Sequence, residues 1–265
     1  MTEPLRVHVR LFAMQRELAG TRSLDLELPD GATLEDAWTG LVSRFPALAP
    51  GRPAVRFARN GAYAPADTAL ADGDQVAMIP PVSGGSGEPG GRRDQPEPAR
   101  RILEIRDGAF GASILTELAE RLATLEDGAV VGFLGVTRRS PGTPAPGQEA
   151  EAERHAGREV EALTYETLAD MALSVMAEIA DEAAARFGVT RLAIVHREGD
   201  VPLGEPSVAI LACSPHRDAA FQAARYAIDE TKARAPIWKA ERFADGHVWV
   251  GEPARDGPAR NVKQA

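Results

Sequence analysis

The segment SGGSGEPGGRRDQPEPA, residues 83–99, decides how the chain is organised. Glycine, proline and charged residues dominate it, and no apolar periodicity runs through it. This composition is typical of a flexible linker between folded parts. A chain of 265 residues is also long enough for two domains. We therefore predict a first domain over residues 1–85, a linker over residues 86–99 and a second domain over residues 100–265.

The overall composition limits the kinds of protein that this chain can be. With 44% hydrophobic and 26% charged residues, it can bury a sizeable core. A net charge of −9 argues against a nucleic-acid-binding surface. No apolar run approaches the roughly 20 residues that span a bilayer, and the N-terminus lacks the apolar core of a signal peptide. Cys213 is the single cysteine, which excludes an internal disulfide and a multi-cysteine metal site. We expect a cytoplasmic protein with no metal centre, no nucleic-acid partner and no membrane partner.

The residues before the linker predict a small mixed domain. Thr33 and Asp36 fit a capping box at the start of a helix, and Pro46 ends that helix. Apolar residues alternate with polar ones over residues 5–11 and 23–28, as in half-buried strands. The predicted elements are strands over residues 5–11, 23–28, 54–58 and 75–79, a helix over residues 33–45, and turns at Gly20-Thr21 and Asn60-Gly61. The order β-β-α-β-β is that of a ubiquitin-like β-grasp fold.

The residues after the linker predict an α+β domain. A helix over residues 168–187 carries a regular apolar stripe and ends at Gly188. Pro236 cannot lie inside the last helix. The other predicted elements are strands over residues 102–105, 130–136, 160–165, 192–196 and 207–213, helices over residues 113–123 and 215–231, and a long loop over residues 138–158.

The first domain ends in PPVSGG, residues 80–85. A Gly-Gly end is slim enough for its carboxylate to enter a deep pocket, although a linker also contains such dipeptides. Together with the run ADGDQVAMIPPVSGG, residues 71–85, this end resembles that of the sulfur-carrier small subunit of molybdopterin synthase. The resemblance implies that Gly84 and Gly85 form the carrier terminus. It also implies that an adenylating, sulfur-loading enzyme converts Gly85 to a thiocarboxylate, the sulfur donor.

Two of the three lysines in the chain, Lys232 and Lys239, stand within KARAPIWK. A lysine in a partly apolar pocket has a lowered pKa, which suits acid–base or covalent chemistry. The alternative is a pair of solvated lysines beside a buried Trp238.

A second polar motif is CSPHR, residues 213–217. Ser214 is expected to cap a helix with Pro215 at its first position, and His216 and Arg217 then lie in the first turn. Free N–H groups and Arg217 would bind an anion there. The alternative is an ordinary helix start with a surface histidine.

These motifs, with FLGVTR (133–138), LTYE (163–166) and IVHREG (194–199), resemble the catalytic large subunit of molybdopterin synthase. The resemblance implies a fused synthase, an enzyme that transfers two sulfurs to cyclic pyranopterin monophosphate and forms the dithiolene of molybdopterin. It implies catalytic roles for two lysines and substrate binding by three further residues. The catalytic residues are Lys232 and Lys239, and the substrate-binding residues are Arg138, His216 and Arg217. No cofactor beyond the Gly85 thiocarboxylate is implied for the sulfur-transfer step.

The arginine assignment rests on spacing alone. The residues after Arg138 depart from the family pattern, so only the Phe-x-Gly-x-x-Arg spacing favours Arg138 over Arg139. His196 and Arg197 also match a family run, but they close a strand before the Gly199 turn. We expect structural roles for them.

Helix geometry separates two of the implied site residues. Arg217 and Lys232 are fifteen positions apart, which corresponds to roughly 22 Å along one helix. A pterin of about 10 Å cannot contact both residues in one protomer. The helix therefore breaks, or a homodimer through the catalytic domain supplies His216 and Arg217 from the second copy. We favour the homodimer.

Two other functions compete with the synthase. One is a sulfur-carrier or protein-modifier module that serves another acceptor and has a catalytically silent second domain. The other is a phosphate-binding regulatory protein, which would explain Arg217 but not the Gly-Gly tail. Cys213 lies in the apolar run AILAC, which is more typical of a core than of a nucleophile.

Overall fold

A computed structural model describes residues 4–80, 100–141, 153, 157–244 and 246–250. The chain divides into two compact units, Met1–Pro81 and Val82–Ala265. The predicted linker over residues 86–99, with Gly84 and Gly85, lies outside the described residues. Over the described ranges, no helix combines the length and apolarity needed to cross a bilayer.

The first domain is the predicted ubiquitin-like fold. Its sheet has the order β2-β1-β5-β3-β4, in which β1 and β5 are parallel and the other pairs are antiparallel. One helix, α2, packs its apolar side on the sheet and buries Leu34, Trp38 and Leu41. The elements are β1 (Leu5–Leu11), α1 (Ala13–Ala19), β2 (Ser23–Leu28), α2 (Leu34–Arg44), a 3-10 helix (Pro46–Ala54), β3 (Arg56–Arg59), β4 (Ala62–Ala64) and β5 (Gln75–Ile79).

Local signals located the start of α2 correctly. The Thr33 hydroxyl accepts the Asp36 N–H at 3.3 Å, and the Asp36 carboxylate accepts the Thr33 N–H at 2.8 Å. The predicted capping box is therefore confirmed. Asn60 and Gly61 have φ values of 50° and 82°, as a tight β3–β4 hairpin requires.

Two predictions in the first domain were wrong. The connection from β1 to β2 is the helix α1 rather than a simple turn, and Gly20 ends that helix with a φ of 68°. The strand predicted over residues 54–58 starts only at Arg56, because PALAPGRPA forms a 3-10 helix first. The sequence missed α1 because this helix has only seven residues, too few for a helical period to be distinguished from the strand before it.

The second domain is the predicted α+β unit and contains two four-stranded sheets. Their orders are β6-β9-β11-β7 and β10-β8-β12-β13. Among the strands that the structure describes here, β6 and β9 pair in parallel and the other pairs are antiparallel, and every residue of β11 is buried. The elements are β6 (Arg100–Arg106), α3 (Ile114–Leu122), β7 (Ala129–Val136), β8 (Ala162–Thr167), α4 (Ala169–Phe187), β9 (Arg191–Arg197), β10 (Gly199–Pro202), β11 (Pro206–Ser214), α5 (Arg217–Arg234), β12 (Ile237–Phe243) and β13 (Gly246–Val250).

The chain passes from the first of these sheets to the second at Gly199. This residue begins β10 and has a φ of 79°, a left-handed conformation that favours glycine. The preceding strand ends before Gly199 as predicted, but Gly199 itself begins a strand that the sequence did not predict.

Helix α5 differs from its predicted limits at both ends. It starts at Arg217, so Pro215 precedes it, and Ser214 is the last residue of β11. It continues to Arg234, beyond the expected end at Thr231, because Pro236 is the first residue that a helix cannot accept. The sequence also missed β12 and β13, which place Lys239 on a strand.

Candidate active site

Lys232 and Lys239 approach one another from different elements. Lys232 lies in the last turn of α5, and Lys239 is the third residue of β12. Lys232 is exposed as a residue, yet partial burial of its ammonium group lowers its pKa, and the Lys239 charge lowers this pKa further. The two lysines therefore lie close enough for their charges to interact.

Lys239 is held by a buried acid on its own strand. The Lys239 Nζ lies 3.1 Å from the Glu241 Oε1, and 20% and 9% of these side chains are exposed. Residues two apart on a strand share a face, so β12 presents both groups to the same side. Sequence reasoning missed Glu241, since the Lys-x-Glu spacing carries meaning only once the segment is known to be a strand.

Beside Lys239, aromatic and polar side chains join the two sheets. Tyr165 of β8 lies directly opposite Lys239 in the ladder. The Tyr165 hydroxyl is 3.1 Å from the Ser207 Oγ, and its ring meets the His196 ring edge-on at 4.8 Å between centroids. The cluster thus extends from the lysines to His196 of β9.

The surroundings of His196 favour its neutral form. Its Nδ1 lies 2.7 Å from the Arg197 carbonyl oxygen, which only accepts, so Nδ1 carries the hydrogen. Burial lowers the pKa of His196 to about 4, against the hydrogen bond to Arg197, and the nearby Lys232 charge lowers it further. Arg197 is also buried and donates to Glu205 at 2.7 Å and to the Asp200 carbonyl at 3.1 Å. These contacts agree with the structural roles expected for both residues.

The His196 pKa predicts a specific acid sensitivity. Between pH 6.5 and about 4 the unfolded chain binds a proton at His196 that the folded chain does not, so stability falls as the pH falls. Between pH 6.5 and about 4 the wild-type protein should lose about 3 kcal/mol of its free energy of unfolding through His196. We expect His196→Asn to remove this loss. Urea denaturation of both proteins across this range measures the difference. Parallel curves for the two proteins would contradict the prediction.

Arg138, rather than Arg139, lies close enough to Lys232 to act on its charge. The Arg138 charge lowers the pKa of Lys232, after the larger effects of burial and Lys239. Arg139 instead pairs with Glu159 at 3.1 Å on the surface. Gly135 lets this segment pack, because a Cβ there would lie 2.6 Å from the Val208 Cγ1. The structure therefore brings Arg138 into the neighbourhood of Lys232.

His216 and Arg217 lie at the opposite end of α5. His216 is the residue before the helix, Arg217 is its first residue, and the Ser214 Oγ accepts the His216 N–H at 3.4 Å. With Gly128, Pro215 and Asp218 they line an open depression of about 430 Å³. The helix is continuous, so Arg217 remains roughly 22 Å from Lys232. The structure does not bring these residues to the lysines within one chain.

Other reactive groups are sparse in the part of the chain that the structure describes. No three His, Cys, Asp or Glu side chains there form a group that could hold a metal ion. Cys213 is buried, and burial raises the pKa of its thiol to about 11. Such a thiol is a poor nucleophile.

Both domains of the chain are similar to known protein families. Residues 9–85 match the ThiS family, and residues 112–234 match the MoaE protein family. A molybdopterin synthase catalytic subunit of Oryza sativa subsp. indica is 39% identical over 148 residues, which cover 56% of this chain and 69% of that protein. One from Culex quinquefasciatus is 40% identical over 131 residues, which cover 49% of this chain and 74% of that protein.

Among solved structures, that of molybdopterin synthase from Staphylococcus aureus is 29% identical, with a TM-score of 0.47. The match covers 60% of this chain and all of the other. The relatives and the two family matches agree with the resemblances seen in the motifs. Because it joins a ThiS domain to a MoaE domain closely similar to those catalytic subunits, the chain belongs to the molybdopterin synthase family, and it is a sulfurtransferase of molybdenum cofactor biosynthesis.

Proposed function

We propose that this chain forms the dithiolene of molybdopterin by transferring sulfur from a Gly85 thiocarboxylate to cyclic pyranopterin monophosphate. The observation that carries the proposal is the cluster of Lys232, Lys239 and Arg138, in a chain that has its own Gly-Gly carrier domain. An adenylating, sulfur-loading enzyme is the partner required to charge Gly85.

The reaction makes two demands on the catalytic domain. In each transfer a thiocarboxylate sulfur forms a bond to a substrate carbon, a carbon–oxygen bond at that carbon breaks, and the departing oxygen takes up a proton. Water then cleaves the acyl–sulfur bond, leaves the sulfur on the substrate and returns Gly85 as a carboxylate. Both steps move protons. A lysine with a pKa below 10.5 exchanges a proton closer to neutral pH, which suits Lys232 to acid–base work. Lys239, paired with Glu241, contributes a second fixed cation beside it.

Binding of the substrate phosphate requires further cations. Arg138 stands near the lysines, whereas His216 and Arg217 line the separate depression at the start of α5. The unbroken helix excludes a pocket that contains both Arg217 and Lys232 of one chain. We therefore propose a homodimer in which Lys232 of one copy and Arg217 of the other complete one pocket.

Mixing two inactive variants tests both the activity and the composite pocket. A dimer of one Lys232→Ala chain and one Arg217→Ala chain keeps one pocket free of both changes. Random exchange of equal amounts puts half of the protein in such dimers, so about a quarter of the pockets are restored. The measurement is dithiolene product formed from cyclic pyranopterin monophosphate with thiocarboxylated carrier.

The controls distinguish a failure of the proposed function from a failure of the proposed composite pocket. Wild-type protein that forms no dithiolene even after its carrier has been cut after Gly85 and thiocarboxylated would refute the proposed function and favour a carrier module for another acceptor. Active wild type without complementation, with subunit exchange verified by mass spectrometry of differently labelled chains, would instead place the whole pocket in one chain.

A further inference from the structure

Arg234, the arginine of KARAPIWK, is a buried cation with several carboxylate partners. Only 5% of it is exposed. Its Nη1 donates to the Glu182 Oε2 at 2.7 Å and to the Glu230 Oε2 at 3.3 Å, and its Nη2 donates to the Glu178 Oε2 at 3.0 Å. A buried charge is tolerated only when it is paired in this way. The planar guanidinium presents five N–H donors in a fixed fork, whereas a lysine ammonium has three donors on a flexible stem.

This cluster fastens the end of one helix to another. Glu178 and Glu182 belong to α4 and lie one turn apart, whereas Glu230 lies one turn before Arg234 in α5. The Tyr226 hydroxyl of α5 also donates to Glu182. Helix α5 is therefore tied to α4 by two side chains, and one of them, Arg234, lies in its last turn.

The Lys232 side chain projects from the same helical turn as Arg234, in nearly the opposite direction. Residues two apart in an α-helix are separated by roughly 200° around its axis. Arg234 points toward α4 and is buried, while Lys232 points away from it and is exposed. Fixing Arg234 against α4 consequently fixes the direction in which Lys232 projects.

The connection from Arg234 to Lys239 is short and buried. Ala235, Pro236 and Ile237 are buried, and β12 begins at Ile237. The Leu168 N–H donates to the Pro236 carbonyl at 3.1 Å, which holds this connection to the start of α4. A shift of the helix end would therefore change the separation of the two lysines.

We infer that Arg234 is a positioning residue that holds Lys232 beside Lys239 and Arg138. The inference rests on the proposed function for the importance of this arrangement to the reaction. The arrangement itself is measurable without the reaction.

The position of Lys232 is readable from its titration. Lys239 of β12 and Arg138 after β7 lower the pKa of Lys232 by charge, after burial, whereas Asp229 of α5 raises it. His196 of β9 also faces it and is neutral. If the helix end is released, Asp229 moves with Lys232 while Lys239 and Arg138 stay behind. The pKa of Lys232 then rises.

The experiment is a lysine NMR titration of the full chain. The chain contains three lysines, Lys232, Lys239 and Lys263, so 13Cε-lysine labelling yields three signals that Lys→Arg variants assign. We expect Arg234→Gln to raise the Lys232 midpoint and to lower kcat by about tenfold to a hundredfold. Whether Lys232 acts as acid or base, the limb of the pH–rate profile that it controls moves to higher pH.

Arg101→Gln is the matched control. Arg101 also fastens α4, through the Ala177 carbonyl at 3.0 Å and Asp181 at 2.9 Å, but it fastens this helix to β6. A general loosening of α4 would shift the Lys232 midpoint in both variants, which would overturn the inference. We expect a loss of stability in both and a shifted midpoint only in Arg234→Gln.

Glu178→Gln is the milder second variant. It removes the α4 carboxylate that accepts from the Arg234 Nη2, while Glu182 and Glu230 keep the buried charge paired, so it serves if Arg234→Gln fails to fold. An unchanged Lys232 midpoint in a folded Arg234→Gln protein, or in Glu178→Gln if the former unfolds, would overturn the inference. Full turnover in Lys232→Ala, measured in parallel, would instead refute the role of Lys232 in the proposed function.

Discussion

Lys232→Ala is expected to lower the rate of dithiolene formation by about 10²–10⁴-fold, the usual contribution of a general acid or base. The folded state should hardly change, because Lys232 is exposed and exposed substitutions usually alter stability by less than about 0.5 kcal/mol. Its lowered pKa, caused by partial burial and by Lys239, is the property that the variant removes.

The measurement pairs turnover of thiocarboxylated carrier with a thermal melt. Arg225→Ala is the matched control, since it removes another exposed cation of α5, one that pairs only loosely with Asp229 at 3.4 Å. We expect normal turnover in this control. Near-normal turnover in Lys232→Ala would refute the assignment, and a melting temperature far below that of Arg225→Ala would mean that the loss reflects unfolding.

Cleavage of the chain after Gly85 is expected to switch activity on. Sulfur loading requires a free carboxylate on Gly85, which is first adenylated and then converted to a thiocarboxylate. In the intact chain Ser86 follows, so the Gly85 carbonyl is part of a peptide bond. An amide cannot be adenylated in this way. The uncut chain should therefore form no dithiolene, and a chain cut after Gly85 should be loaded and active.

The sequence around Gly85 suits such a cut. The following SGEPGGRRDQPEPA has the polar, glycine- and proline-rich composition of segments that proteases nick. A freed VSGG tail spans at most roughly 13–14 Å, enough to enter a pocket.

Intact mass spectrometry of the protein from its native host tests this expectation. We expect a fragment that ends at Gly85 and its complement. As a control, Gly85→Pro should prevent the processing that frees a carboxylate for adenylation, while both domains keep their folds. Recovery of full-length, fully active protein with no fragment ending at Gly85 would overturn this role of the tail.

Several features of the fold could be predicted because they depend on neighbouring residues. Alternation identified β1 and β2, and Thr33 with Asp36 identified the start of α2. Strand β12 could not be found in this way. Both of its faces are largely covered, so IWKAERF shows no clean alternation, and its strand conformation depends on pairing with β8 and β13.

For the candidate site, the sequence identified residues and the tertiary structure gave their arrangement. The motif KARAPIWK identified Lys232 and Lys239 as candidates, yet their mutual approach depends on β12 and on the way α5 ends. The preference for Arg138 over Arg139 rested on spacing alone, and the electrostatic effect on Lys232 now supports it.

The sequence by itself determined the two-domain organisation, the ubiquitin-like order of the first domain and the lysines of KARAPIWK, since composition, periodicity and short motifs are local properties. Only the tertiary structure decided that Glu241 pairs with Lys239, that Arg234 ties α5 to α4, and that α5 runs unbroken from Arg217. The first depends on the strand conformation of β12, the second on packing between two helices, and the third on where one helix begins and ends. Each is decided by strand pairing and packing, which no local pattern records.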